Sequence, residues 1–145
     1  MFLFYLLIAT TCIVSGMAHN GTLPQFVDAP SLCIVFIPST ALTIASYGWS
    51  NVRRAFSISS TETSPNLEIL YRTAAAFGTN CLWIGILSML IGAVKILASF
   101  EIEHLDHIGP AAGVMLLPLT YGLCVHTLFA KPIADRWKKK ECSVD

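Results

Sequence analysis

Charge is what this sequence has least of. Charged residues fill 12% of its 145 positions, about half the roughly 25% usual for a soluble domain. They are unevenly placed, and long stretches carry none, which is how a bilayer filters sequence. The formal net charge is zero, so bulk attraction to nucleic acid has no basis. No lysine or arginine precedes Arg53. A cleaved signal peptide therefore lacks its basic start, even though Gly16-Met17-Ala18 offers small residues for cleavage. Catalytic signatures are missing too. There is no nucleophile–base pair, glycine-rich phosphate loop or zinc motif, so neither an enzyme nor a cofactor is expected. None of the five cysteines belongs to a CxxC pair. Cys12, Cys33, Cys81 and Cys124 lie in apolar stretches and read as small packing residues, not as a disulfide or metal framework.

What is present is apolar, at 54% of the chain, and arranged in four runs. They cover residues 2–18, 31–49, 73–100 and 108–130, each long enough or nearly so for the roughly 20 residues that span a bilayer. The expected fold is all-α: one integral membrane domain of four transmembrane helices, filling the 145 residues. Asp28 is placed to cap the second helix, with Pro30 in its first turn, where a missing N–H costs nothing. Residues 51–66 form the only internal loop of any length, polar and low in complexity at its centre, and read as a flexible linker. Ser64 followed by Pro65 predicts a helix start before the third run. The tail, residues 131–145, is basic and polar.

The basic residues orient these helices. Leaving aside Lys95, the other eight are Arg53, Arg54, Arg72, Lys131, Arg136, Lys138, Lys139 and Lys140. All fall in the middle loop or the tail, which predicts cytoplasmic termini and a cytoplasmic middle loop. Trp49 and Trp137 are expected as interfacial anchors.

The third run carries a stripe: Gly78, Cys81, Gly85, Ser88, Gly92, Lys95 and Ser99. Its steps of three and four put these residues on one helix face. Small residues permit the close backbone approach on which helix association in lipid depends. Gly109, Gly113, Thr120, Cys124 and Thr127 form a less regular face on the fourth run. Two readings stay open for these faces: packing inside one subunit, or a surface lining a hole for another helix. Lys95 lies about 7.5 Å of helical rise from the end of its run, within reach of snorkelling. His126 is expected as a hydrogen-bonded structural histidine and not a proton relay. The turn between the third and fourth runs holds Glu101, Glu103 and Asp106 with His104 and His107, but no further ligand cluster, and reads as solvated and not metal-binding. No Asp or Glu lies within an apolar run. A cation path ordinarily needs an ionisable group in the membrane, so conduction through this chain would require a partner's carboxylate.

Two stretches are similar to a known family. Phe26-Val27-Asp28-Ala29-Pro30-Ser31-Leu32-Cys33-Ile34-Val35 resembles the F-x-D-x-P-S-x-x-I-V start of the second helix in MotA-type flagellar stator subunits. Ile108-Gly109-Pro110, Leu116-Leu117, Thr120-Tyr121-Gly122 and Phe129-Ala130-Lys131-Pro132-Ile133-Ala134 resemble their fourth helix and its exit. The similarity covers most of the apolar part and points to the wider MotA/TolQ/ExbB family, multi-pass proteins of the bacterial inner membrane. It implies an A-type subunit of an ion-driven motor or energiser complex. Such subunits form a pentamer around a dimer of single-span B-type subunits, whose helix carries the ion-binding Asp. Besides membrane lipid, the implied partners are therefore copies of this chain and a B-type helix. Helices three and four line the central hole in the family, which would make Gly78, Cys81, Gly85, Ser88, Gly92, Lys95, Gly113, Thr120, Cys124 and Thr127 pore- or partner-facing. Glu101, Glu103 and Asp106 would ring the periplasmic mouth. MotA proteins carry a large charged cytoplasmic domain between helices two and three, where this chain has only residues 51–72. They also typically carry a proline near the cytoplasmic end of the third helix, where this chain has Ala75 or Leu82 depending on register. Pro118 and Leu119 stand where two threonines are common. A non-conducting scaffold or assembly subunit with the same helix packing is the alternative function.

Overall fold

The computed structural model describes residues 11, 15, 27–57, 66–98 and 108–141. The first apolar run lies almost wholly outside them, as do Phe26, Ser64, Pro65, Ser99 and the acidic turn with Glu101, Glu103 and Asp106. Every element among the described residues is helical: α1 (Ala29–Tyr47), α2 (Trp49–Ala55), α3 (Leu67–Ala98), α4 (Ile108–Cys124), a π-helical turn (Val125–Ala130) and α5 (Lys131–Glu141). Three helices are long and apolar enough to cross a membrane: Ala29–Tyr47, Leu67–Ala98, and the continuous rod Gly109–Lys140.

Local chemistry sets the ends of α1. The Asp28 carboxylate accepts from the Ser31 N–H at 3.0 Å, with proline in the first turn. Gly48, at φ 80°, closes the helix, and its N–H donates to the Ile44 carbonyl at 2.7 Å. A residue with a Cβ would be strained at that φ. The chain re-enters a helix at once, so Trp49 begins α2 instead of ending the second run, and residues 51–55, expected as linker, are helical. As expected, α3 is already helical before the apolar run begins, from Leu67.

The larger difference lies at the other terminus. Residues 131–141, expected as a polar tail, continue the fourth helix. Pro132 lacks an N–H, and its ring crowds the carbonyl four residues back. The turn before it widens, and the Lys131 N–H donates to the His126 carbonyl, five residues back. A π turn thus carries the helix past a proline that would otherwise end it.

The arms α3 and α4–α5 run antiparallel as a long hairpin, and α1 packs on both. At the end where the basic residues gather, Ala55, Leu67, Leu70 and Trp137 form a buried cluster, flanked by Phe56, Tyr71 and Ile133. Trp137 is only 2% exposed, and its Nε1–H donates to the Ala55 carbonyl at 2.9 Å. It is therefore a packing residue that fastens α5 to α2, not the lipid-facing anchor expected of it. Trp49 does project outward. A second cluster joins Val35, Cys81 and Val125 across the three long helices, with Phe77 against it.

Candidate functional site: the glycine seam and its polar core

The stripe on α3 meets α4 of the same chain. A Cβ built on Gly85 would stand 2.7 Å from the Pro118 carbonyl oxygen, and one on Gly122 would stand 2.5 Å from the carbonyl oxygen of Cys81. A Cβ on Gly78 would run into Ala130 and come within 3.0 Å of His126 Nδ1. Gly92 is looser, with the Met115 side chain as its nearest neighbour. Gly78, Cys81 and Gly85 are buried, and Gly122 is buried opposite them. Backbone against backbone is the geometry that small residues allow in lipid. Of the two readings open for the stripe, packing inside one subunit occupies these positions.

The remaining pore- or partner-facing candidates lie nearer the surface. Ser88, Thr120 and Cys124 are half-buried, while Lys95, Gly113 and Thr127 are exposed. A Cβ on Gly109 or Gly113 would meet nothing within 4 Å. Thr120 and Thr127 donate to the carbonyls of Leu116 and Leu123, at 3.0 Å and 2.7 Å, so their hydroxyls are satisfied within their own helix.

The two stretches that carry the family resemblance come together. The Asp28 N–H donates to the Tyr121 hydroxyl at 3.0 Å. Ser31, one helical turn on, is buried, and Gly122, beside Tyr121, packs against the Cys81 backbone of α3. Pro30, Gly109 and Pro110 are exposed at their helix starts, and Pro132 is half-buried in α5.

Sequence reasoning missed a polar layer under the seam. Ser31, Ser39, Thr43 and Thr73 are all buried. Ser39 and Thr43 donate back to the carbonyls of Val35 and Ser39, at 2.6 Å and 2.7 Å. Asn80 of α3 reaches across, its Nδ2 donating to Thr43 Oγ1 at 3.1 Å. The signal was available: Ser31, Val35, Ser39 and Thr43 repeat every four residues, which is one helix face. His126 departs from expectation in another way. Its Nδ1 is buried and has no hydrogen-bond partner among the described residues. A buried polar atom left so costs about 1–3 kcal/mol, and this one sits on the π turn, a deviation frequent at functional sites. Chemically, the layer can exchange hydrogen bonds with water or a partner side chain. Among the described residues the apolar stretches 29–47, 73–98 and 108–130 contain no carboxylate, and no group of three or more metal-ligating side chains occurs.

A scan against models of known protein families finds no match, and neither does a search of curated proteins.

Proposed function

We propose that the chain is a compact MotA-like A-type subunit of an ion-driven motor or energiser complex. It forms an oligomeric ring, five-membered by resemblance, in a bacterial inner membrane around a partner transmembrane helix, and contributes to a proton or sodium path. Both termini face the cytoplasm. The observation that carries this reading is the Asp28–Tyr121 bond. It joins the two stretches on which the resemblance rests, 93 residues apart in the chain, beside the Gly122–Cys81 approach. The glycine seam then makes each subunit's hairpin rigid, and the outward residues Lys95, Gly113 and Thr127 are those left to meet the partner. The carboxylate that binds the ion comes from that partner, since Glu68 and Asp135 lie at the basic end and the apolar stretches 29–47, 73–98 and 108–130 hold no carboxylate.

The scaffold reading uses the same packing without conduction. It is favoured by the three i−4 hydroxyl bonds of Thr79, Thr120 and Thr127, which hold these side chains against their own helices as packing groups. Purification in mild detergent followed by native mass spectrometry separates the outcomes. Five copies with a co-purifying single-span chain that carries an intramembrane Asp support the motor reading. Five copies with a partner lacking such an acid support the scaffold, and a monomer without any partner removes both.

A further inference from the structure

We propose that the basic end of the hairpin is a binding surface for the headgroups of anionic phospholipids in the leaflet it faces. Three separate elements deliver its charge. Arg53 and Arg54 end α2, Arg72 lies in the second turn of α3, and Lys131, Arg136, Lys138, Lys139 and Lys140 belong to α5. Against these eight cations the described side chains at this end include two acids, Glu68 and Asp135. Glu68 is engaged by Arg72 at 2.6 Å.

The fold fixes the elements together. Trp137 is buried against Ala55, Leu67 and Leu70 and bonded to the Ala55 carbonyl, so α2, α3 and α5 cannot splay. Aromatic rings hold the stems of the cations: Lys138 Nζ lies 5.9 Å from the Tyr71 ring centroid, and Lys140 Nζ lies 5.6 Å from that of Trp137. Such contacts at exposed sites hold a cation weakly and leave its charge in place.

Position decides for lipid over a soluble acidic partner. Arg72 immediately precedes the apolar stretch of α3, Lys131 immediately follows that of α4, and Arg53 stands one turn past the exposed Trp49. Those three therefore sit at headgroup depth. Lys138 to Lys140 lie roughly 10–14 Å further along the rod, close to one Debye length, so they still feel the surface potential of an anionic leaflet. The inference does not depend on the family reading, nor on which side of the membrane this end occupies.

The full chain in a neutral detergent, titrated with phosphatidylglycerol or phosphatidylcholine and read by native mass spectrometry, tests it. Phosphatidylglycerol binds at least about fivefold tighter, the factor expected for one cation near an anionic surface, and the preference collapses as salt rises. Arg53→Gln, Lys131→Gln, Lys138→Gln and Lys139→Gln combined remove the preference. Lys131→Gln alone reduces it. All four altered positions are exposed, and unchanged helix content by circular dichroism shows that the variant still folds. Equal binding of the two lipids by the unaltered chain overturns the proposal. So does a preference that survives the fourfold variant, or soluble glycerol phosphate binding as tightly as the lipid.

Discussion

Gly122→Ala adds one carbon where the two arms meet backbone against backbone. That carbon would stand 2.5 Å from the Cys81 carbonyl oxygen, 3.1 Å from the Cys81 carbonyl carbon and 3.3 Å from the Leu82 Cα. All three are backbone atoms of α3, so no side-chain rotation relieves the clash. Ordinary contact begins near 3.4 Å, and the arms must part by about 0.9 Å, in an interior packed closely enough to feel a single methylene. Overpacking of this kind costs about 1–3 kcal/mol. Gly113→Ala is the internal control, because a Cβ there meets nothing within 4 Å. It gains helix propensity, up to about 1 kcal/mol. The two substitutions are chemically identical and differ in sign. Gly85→Ala, against the Pro118 carbonyl oxygen at 2.7 Å, should follow Gly122→Ala. Gly92→Ala should be milder, because its nearest neighbour, at 2.9 Å, is Cγ of the Met115 side chain and not a backbone atom. Unfolding in mixed micelles by titration with sodium dodecyl sulfate, followed by far-ultraviolet circular dichroism, reads the order directly. Equal midpoints for Gly122→Ala and Gly113→Ala would refute the seam.

Three further outcomes are expected. Tyr121→Phe removes the acceptor of the Asp28 N–H and costs about 1 kcal/mol; the Asp28 amide should exchange several-fold faster, and an unchanged rate would show that the bond holds nothing. Trp137→Phe keeps most of the ring but leaves the Ala55 carbonyl without its donor, at about 1–3 kcal/mol; exchange should quicken across α2, and protection equal to that of the unaltered chain would count against the fastening role. If the chain forms the proposed conducting ring, changing Glu101, Glu103 and Asp106 together to Gln, Gln and Asn should lower cation flux through it, most clearly at low salt, because a ring of acids focuses potential that one copy cannot; equal flux at every ionic strength, with assembly intact, would remove that role.

The sequence made the long helices and the α1 cap legible because their causes are local. Uninterrupted apolar runs, an Asp followed two residues later by a proline, and a three–four spacing of small residues each act within a few turns of chain. The partner of the stripe was not legible. Gly78 and Gly85 could equally meet another subunit, and only the register of α3 against α4, set by the Gly122 and Pro118 backbones, brings them onto their own chain. Trp137 was misplaced for a related reason. Basic neighbours on both sides made it look interfacial, but its indole is one of the few large groups able to fill the space between α2 and α3. Residues 131–141 were expected as tail because they are basic and polar, and they stay helical because the π turn before Pro132 absorbs it. The depth of Asp28 was equally hidden. Tyr121 lies roughly 15 Å of helical rise before Lys131, so the Asp28–Tyr121 bond starts α1 part-way along the hairpin and not level with its far end.

That offset determines how the chain meets its surroundings. Both hairpin arms run 32 residues, whereas α1 has 19. On α3, the distance from Arg72 to Lys95 is about 35 Å by helical rise, close to a bilayer's hydrocarbon thickness of roughly 30 Å. Both cations can therefore reach polar headgroups while the residues between them stay in lipid. Beyond the reach of α1, the hairpin turns outward Leu87, Leu90, Ile91 and Val94 from one arm, and Val114 and Leu116 from the other, each between 45% and 66% exposed. A contiguous apolar surface of that kind is not stable in water. Lipid accommodates it in a single chain, and neighbouring helices accommodate it in a ring. In either setting the polar groups are kept inward, in the Ser39–Thr43–Asn80 layer, or satisfied within their own helices, as at Thr79, Thr120 and Thr127. His126 Nδ1 is the one buried side-chain polar atom among the described residues that lacks a partner. It lies where Gly78 leaves room on α3, so the seam that holds the hairpin closed also creates the one place within it where a further hydrogen bond is still to be made.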